Sequence, residues 1–138
     1  MQPATAMTPQ ELQERTLEFA LSVHRLIRPW WKEADTRHVA LQLFRCSTSL
    51  AANYRSACLA RSPREFSAKI GVSREEADES LFWLLFVQRS AMDRSDPAAV
   101  ASLIDEAGQL ARIFSAAYRT AKSGLGSKQP KHRPQGEE

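Results

Sequence analysis

The sequence predicts an all-α protein, an antiparallel up-down four-helix bundle. Three observations predict it. Four stretches place apolar residues three and four apart, each stretch opens on a helix start signal, and nowhere do apolar and polar residues alternate as in a strand. The connections between the stretches are short, about two to eight residues, which favours antiparallel neighbours.

The first helix opens at "TPQE", with Thr8 as N-cap, Pro9 in the first helical position and Glu11 closing a capping box. Leu12, Thr16, Phe19, Val23 and Leu26 then form one face, and Pro29 ends the helix after Arg28. The second begins near Asp35 or Thr36, and its seam reads Val39, Leu43, Cys46, Leu50, Asn53, Ala57 and Ala60. "SPRE" repeats the first start signal, with Ser62, Pro63 and Glu65 in the same roles. Phe66, Ile70, Ala77, Leu81, Leu84, Leu85 and Gln88 follow on the third helix. Within it "LFWLLFV", Leu81 to Val87, is apolar all the way round, so one stripe cannot bury it and a second covered surface is expected. Asp96 and Pro97 open the fourth helix, whose seam is Val100, Leu103, Ala107, Leu110, Phe114, Ala117 and Ala121. The expected boundaries are a flexible N-terminus over 1–8, helices over 9–28, 36–61, 63–92 and 97–122, and a disordered, Gly-, Pro- and charge-rich tail over 123–138.

A chain of 138 residues with 43% hydrophobic and 25% charged residues suits one domain with a real core. Its net charge of +3 permits an anionic partner without requiring one. Cys46 and Cys58 fall on one helix, about 18 Å apart at 1.5 Å per residue, too far for a disulfide and in keeping with a reducing cytoplasm. The N-terminus lacks the pattern of a signal peptide, and the longest apolar run is too short to cross a bilayer, so a cytoplasmic protein without a membrane partner is expected.

Catalytic chemistry finds no centre. A di-iron bundle needs two Glu-x-x-His motifs; this chain has one weak analogue, Asp35-x-x-His38, and the acids of "REEADE" suit a solvated face. Small helical nucleases with an Arg-x4-His motif are not matched either, since Phe19 and Glu33 stand five positions before His24 and His38. With no cofactor loop, metal set or paired histidine, a protein that is not an enzyme is expected.

Binding chemistry is better represented. Arg25, Arg28 and Lys32 surround Trp30 and Trp31 at the first inter-helix turn, with Arg37 and His38 close behind. Such interleaving suits nucleic acid, although tryptophans plugging the bundle end explain it as well. From Val39 to Arg64 there are four arginines and no carboxylate, and Arg37 and Arg55, five turns apart, share a face with Phe44. Arg37, Arg45, Arg55, Arg61 and Lys69 are therefore the candidate phosphate contacts. Asn53 in a seam needs a partner for its amide, with Glu76, Glu79 or Arg45 within conceivable reach. Its expected role is to set helix register, while Glu76 and Glu79 hold arginines in place.

The stretch "SLAANYRSACLARSPREFSAKIGVSREEADESLFWL" resembles the middle of the four-helix-bundle proteins associated with 23S ribosomal RNA intervening sequences. The likeness runs through Ser49, Leu50 and Asn53, then Arg61, Ser62, Glu65 and Phe66, then Glu76 and Glu79. It departs at Arg55, Ser56 and Ala57, where many members carry Glu and Gly. The accessory variability proteins of diversity-generating retroelements are similar. The resemblance implies a helical bundle assembled with copies of itself into a ring, commonly a homopentamer, with no enzymatic activity. It further implies a basic surface for RNA or DNA and for a nucleic-acid-associated protein. The expected function is thus a non-enzymatic scaffold for RNA or an RNA–protein complex, the alternative being an adaptor ring that binds only protein.

Overall fold

The computed structural model describes residues 6–92 and 96–126, and within them the chain forms α1 (Pro9–Ile27), α2 (Ala34–Cys58), α3 (Pro63–Arg89) and α4 (Pro97–Gly126). No strand occurs among the described residues. Three of the start signals act as their chemistry requires. Thr8 Oγ1, Ser62 Oγ and Asp96 Oδ1 each accept the backbone amide three residues on, at 3.1 Å, satisfying a donor the helix itself leaves unpaired. Helix α2 starts one or two residues earlier than its Asp35 or Thr36 signal suggests. Glu33 precedes it without a side-chain cap, and the Asp35 carboxylate instead accepts the Thr36 amide at 2.8 Å inside the first turn.

The helix ends differ more from the sequence expectation. The first helix stops at Ile27, one residue early, and the Trp30 amide turns back to the Ile27 carbonyl. Helix α2 stops at Cys58 instead of 61, because the amides of Leu59 and Ala60 reach carbonyls only three residues back and tighten the last turn. Helix α3 stops at Arg89 instead of 92. Ala91 adopts φ 60° and the Met92 amide bonds the Val87 carbonyl at 3.1 Å, a Schellman termination built on alanine where glycine is usual. The fourth helix runs to Gly126, so Ser123–Gly126 are helical, contrary to the expected tail. Glycine inside a helix costs only about 1 kcal/mol, and no proline intervenes before Pro130. The remainder of the expected tail, 127–138, and residues 1–5 lie outside the described residues.

Every expected seam residue of α1 is buried, and α4 buries Val100, Leu103, Ala107, Leu110 and Phe114. In α2 the seam shifts after Leu50: Tyr54, not Asn53, takes the core position, its ring edge-on to Phe114 with centroids 5.3 Å apart. In α3 the seam is Ser67, Ile70, Ser73, Ala77, Ser80, Leu84 and Val87, so small hydroxyl residues alternate with apolar ones and Phe66, Leu81 and Leu85 move to its flank. Two of these serines are tied off within the bundle. Ser73 donates to the Leu50 carbonyl at 3.2 Å, and Ser80 donates to the Glu76 carbonyl while lying 3.2 Å from Cys46 Sγ. Small seam residues let α2 and α3 approach closely, and the hydrogen bonds offset the cost of burying hydroxyls.

Pairings of Leu50 with Ser73 and Cys46 with Ser80 run in opposite directions along the two helices, so α2 and α3 are antiparallel. Each helix packs on the next, and α4 returns to α1, where Arg15 Nε donates to Glu106 Oε2 at 3.0 Å and Arg15 Nη2 to Gln109 at 2.8 Å. The first turn of α1, the last turns of α2 and α4 and the first turn of α3 therefore meet at one pole of the bundle. Pro9, Ala57, Pro63, Phe66 and Ala121 all line a single cleft there.

Candidate functional site

The two aromatic residues of the first turn part company. Trp30 is buried, plugging the end of the core, whereas Trp31 is exposed beside Lys32. Arg28 and Arg37 are exposed at this end as well, and Arg25 donates to Glu18 at 2.6 Å and to Ser22. One exposed ring with scattered cations makes a solvated cap more than a nucleotide platform.

On the α2–α3 face, Arg45 is committed to carboxylates. Its Nη2 donates to Glu79, which also accepts from Trp83 Nε1 at 3.4 Å, and its Nη1 lies 3.6 Å from Glu76 Oε2. The hydrogen bond to Glu79 raises the Arg45 pKa further, against partial desolvation. Glu76 is the costly member. Its Oε2 is buried without a hydrogen bond, and burial raises its pKa despite the Arg45 charge. Burial likewise pushes the neighbouring Cys46 thiol up to about 11, an inert packed sulfur. Asn53 takes no part in this network. Its amide donates one turn back along α2, to Ser49 O at 2.9 Å and Ser49 Oγ at 3.0 Å, so Arg45, Glu76 and Glu79 are not its partners.

The structure thus separates the five expected phosphate contacts. Arg45 is locked to acids and Arg37 stands near the start of α2, whereas Arg61 lies just past its end. Arg55 borders a shallow groove between α1 and α2, alongside Leu17, Ala51 and Ala52. Arg61 lines the polar cleft described above and Lys69 is half-buried on the second turn of α3.

That cleft, about 680 Å³, collects groups the sequence leaves far apart. The exposed Cys58 and the Tyr54 ring line it, and burial together with the Cys58 contact raises the Tyr54 phenol pKa. Arg61 lines it, and Arg64, Arg119 and Lys122 are chain neighbours of its lining residues Pro63, Thr120 and Ala121; all four are exposed, as is Arg74, about 12 Å further along α3 than the lining residue Phe66. The ion pairs of the described residues engage Arg15, Arg25 and Arg45, and none of the cations at this pole. From Gly108 to Gly126 α4 carries Arg112, Arg119 and Lys122 without a single carboxylate, matching the acid-free end of α2 across the shared cleft. Only Glu11, Glu14 and Glu65 of the helix starts bring negative charge, and Glu65 is turned to the Arg61 backbone amide at 3.3 Å.

Tyr118 organises part of this pole. Arg74 lies 5.0 Å and Lys122 5.6 Å from its ring centroid, and Gly71 leaves the room that the ring occupies. Reading along the chain missed this group, since α4 has one tyrosine in an otherwise regular seam. The signal available was the run of cations without acids on α4, whose importance depends on which helix ends it meets.

Large apolar side chains remain exposed on two faces. Leu17, Leu21, Leu41 and Phe44 lie on α1 and α2, with His24 tilted against Phe44 at 5.9 Å. On α3 Phe82 is 55% and Phe86 42% exposed. The over-apolar stretch of α3 therefore does keep a second, uncovered surface. Among the described residues no cluster of three or more His, Cys, Asp or Glu is placed to hold a metal, and no helix is long and apolar enough to cross a membrane.

No family model matches the chain, and no curated protein matches it. Among solved structures, a protein of unknown function from the S23 ribosomal protein family of Bacteroides thetaiotaomicron superposes with a TM-score of 0.69. It is 23% identical, and the match covers 78% of this chain and 98% of that one. At that identity the likeness establishes the shared helical fold.

Proposed function

We propose that this protein is a non-enzymatic scaffold that binds RNA, alone or within an RNA–protein complex, through the basic pole of its bundle. The observation that carries the reading is the set of Arg61, Arg64, Arg119 and Lys122 at one pole, with Arg74 further along α3, none of them in an ion pair among the described residues. Cations left unpaired in one region attract a polyanion, because each phosphate they neutralise releases a condensed counterion. The fold shared with an S23-family protein and the sequence resemblance to the intervening-sequence and accessory variability proteins point the same way.

Self-assembly completes the proposal. The apolar faces on α1–α2 and on α3 differ in residues and belong to different helices, so copies meeting face to unlike face make a head-to-tail contact. Repetition of such a contact closes a ring when the rotation permits, and a homopentamer is the number the resemblance implies.

The test is anisotropy of a labelled structured RNA titrated with protein at several salt concentrations. Tight binding that weakens steeply with salt, and a loss on reversing Arg61 and Arg64 to Glu, is the expected result. Binding insensitive to salt would favour the protein-adaptor reading, and no binding at low salt would end the RNA reading.

A further inference from the structure

We infer that Arg74, Tyr118 and Lys122 form a preassembled clamp for the phosphates of a nucleic acid strand, with Tyr118 as the residue that positions the two cations. This deepens the basic-pole reading and rests on it. Arg74 comes from α3 and Lys122 from α4, yet both are gathered over one ring, at 5.0 and 5.6 Å from its centroid. Each cation is attracted by the ring, but two like charges drawn to one ring also repel one another. A structural cluster would be expected to include a carboxylate, as Arg15 has Glu106 and Arg45 has Glu79 elsewhere in this bundle. None lies within ion-pair distance of Arg74 or Lys122 among the described residues.

The ring is itself set deliberately close to α3. A Cβ on Gly71 would lie 3.0 Å from Tyr118 Cε2, so α3 carries its single glycine where this ring packs, and any larger side chain there would push the ring. Glycine therefore leaves the ring room against α3, the ring draws in both cations, and the charge that would balance them is an anion. A phosphodiester fits, being singly charged at each residue and repeated along a strand that can pass from this clamp to Arg61 and Arg64 across the pole. Held cations need less ordering on binding than free surface lysines do, which raises their worth to a ligand.

The experiment measures anisotropy of a labelled single-stranded RNA across a range of salt with the full-length protein and five variants. Arg74→Gln and Lys122→Gln should each flatten the log–log salt slope by roughly 0.7, one phosphate's share for a single strand. Tyr118→Leu should flatten it too although no charge is removed, Tyr118→Phe should keep the wild-type slope, and Arg28→Gln at the far pole should leave it unchanged. Thermal melting of each variant separates loss of fold from loss of the clamp. Wild-type binding that is salt-dependent, with Arg74→Gln and Lys122→Gln folded and unaltered in slope, would overturn the clamp and leave the basic pole standing. Loss of slope in Tyr118→Phe equal to that in Tyr118→Leu would overturn the role given to the ring face. Wild-type protein that binds no RNA at low salt would overturn the pole and the clamp together.

Discussion

Replacing Gly71 by leucine tests whether the ring of Tyr118 is fixed from beneath. Alanine is the instructive intermediate. It gains about 0.8–1 kcal/mol of helix propensity over glycine, yet its Cβ would stand 3.0 Å from Tyr118 Cε2 and 3.5 Å from Cδ2. Moving the ring by a few tenths of an ångström turns it far less than the ~30° that costs about 0.5–1.5 kcal/mol, so Gly71→Ala should be neutral to mildly stabilising. Leucine adds three more carbons where the ring now lies. Overpacking of this kind costs about 1–3 kcal/mol, or about 4–12 °C of melting temperature at roughly 4 °C per kcal/mol for a domain of this size. Tyr118→Ala removes the obstacle, so Gly71→Leu in that background should be far less harmful. The four proteins form a double-mutant cycle, read by urea or thermal unfolding, with an expected coupling of at least about 1 kcal/mol. Additivity within about 0.5 kcal/mol would show that the ring and Gly71 do not constrain one another and would refute the reasoning.

Other expectations follow from the same structure. Ala91 holds a left-handed conformation at the end of α3, so Ala91→Gly should stabilise the fold by about 1 kcal/mol, measured as a raised urea midpoint at unchanged slope. Phe114 is fully buried and edge-on to Tyr54; Phe114→Ala should cost about 3–5 kcal/mol in the same assay. Burial raises the Glu76 pKa in the folded state, so the folded protein takes up that proton more readily than the unfolded chain. Its contribution to stability is therefore gained as pH falls through the folded-state value and absent above it. Wild-type stability measured against Glu76→Gln should thus improve as pH is lowered from about 7.5 towards the carboxylate range, and a difference that instead moves towards Gln on acidification would contradict the assignment. Phe82→Asp with Phe86→Asp should leave the bundle folded by circular dichroism while lowering the solution mass measured by light scattering.

Four helices were legible because their signals are local. A cap such as Thr8 or Ser62 and the three-four spacing of Leu12 to Leu26 act within a turn or two of chain. The seam of α3 was not, because Ser67, Ser73 and Ser80 read as surface residues until a neighbouring helix lies close enough to make their small size useful; α2 supplies partners to Ser73 and Ser80, while the buried Ser67 hydroxyl has none. Asn53 shows the opposite case. Its spacing from Leu50 and Ala57 fits a core position equally well at 53 or 54, and the larger ring of Tyr54 takes the space. Candidate cations were legible as a class but not as a place. Nothing local distinguishes Arg45, whose guanidinium is held by Glu79, from Arg61, whose guanidinium enters no ion pair among the described residues, since the partner of Arg45 lies 34 residues away in the chain. The Arg74–Tyr118–Lys122 group is further still from local rules, needing α3 and α4 to be set side by side.

The two ends of the bundle differ in how their charges are mixed. Arg55, Arg61, Arg64, Arg119 and Lys122 stand at one end with Glu11, Glu14 and Glu65, while at the other Arg28, Lys32 and Arg37 are interspersed with Glu33, Asp35 and Asp96, so the excess of positive charge leans towards the first. A polyanion's field turns such a molecule before any contact forms, so encounters begin in the productive orientation and grow faster at low ionic strength. Cyclic symmetry would preserve that direction from copy to copy. Every subunit would present the same sign on the same rim, and a modest charge on each chain would become one broad positive ring facing its partner.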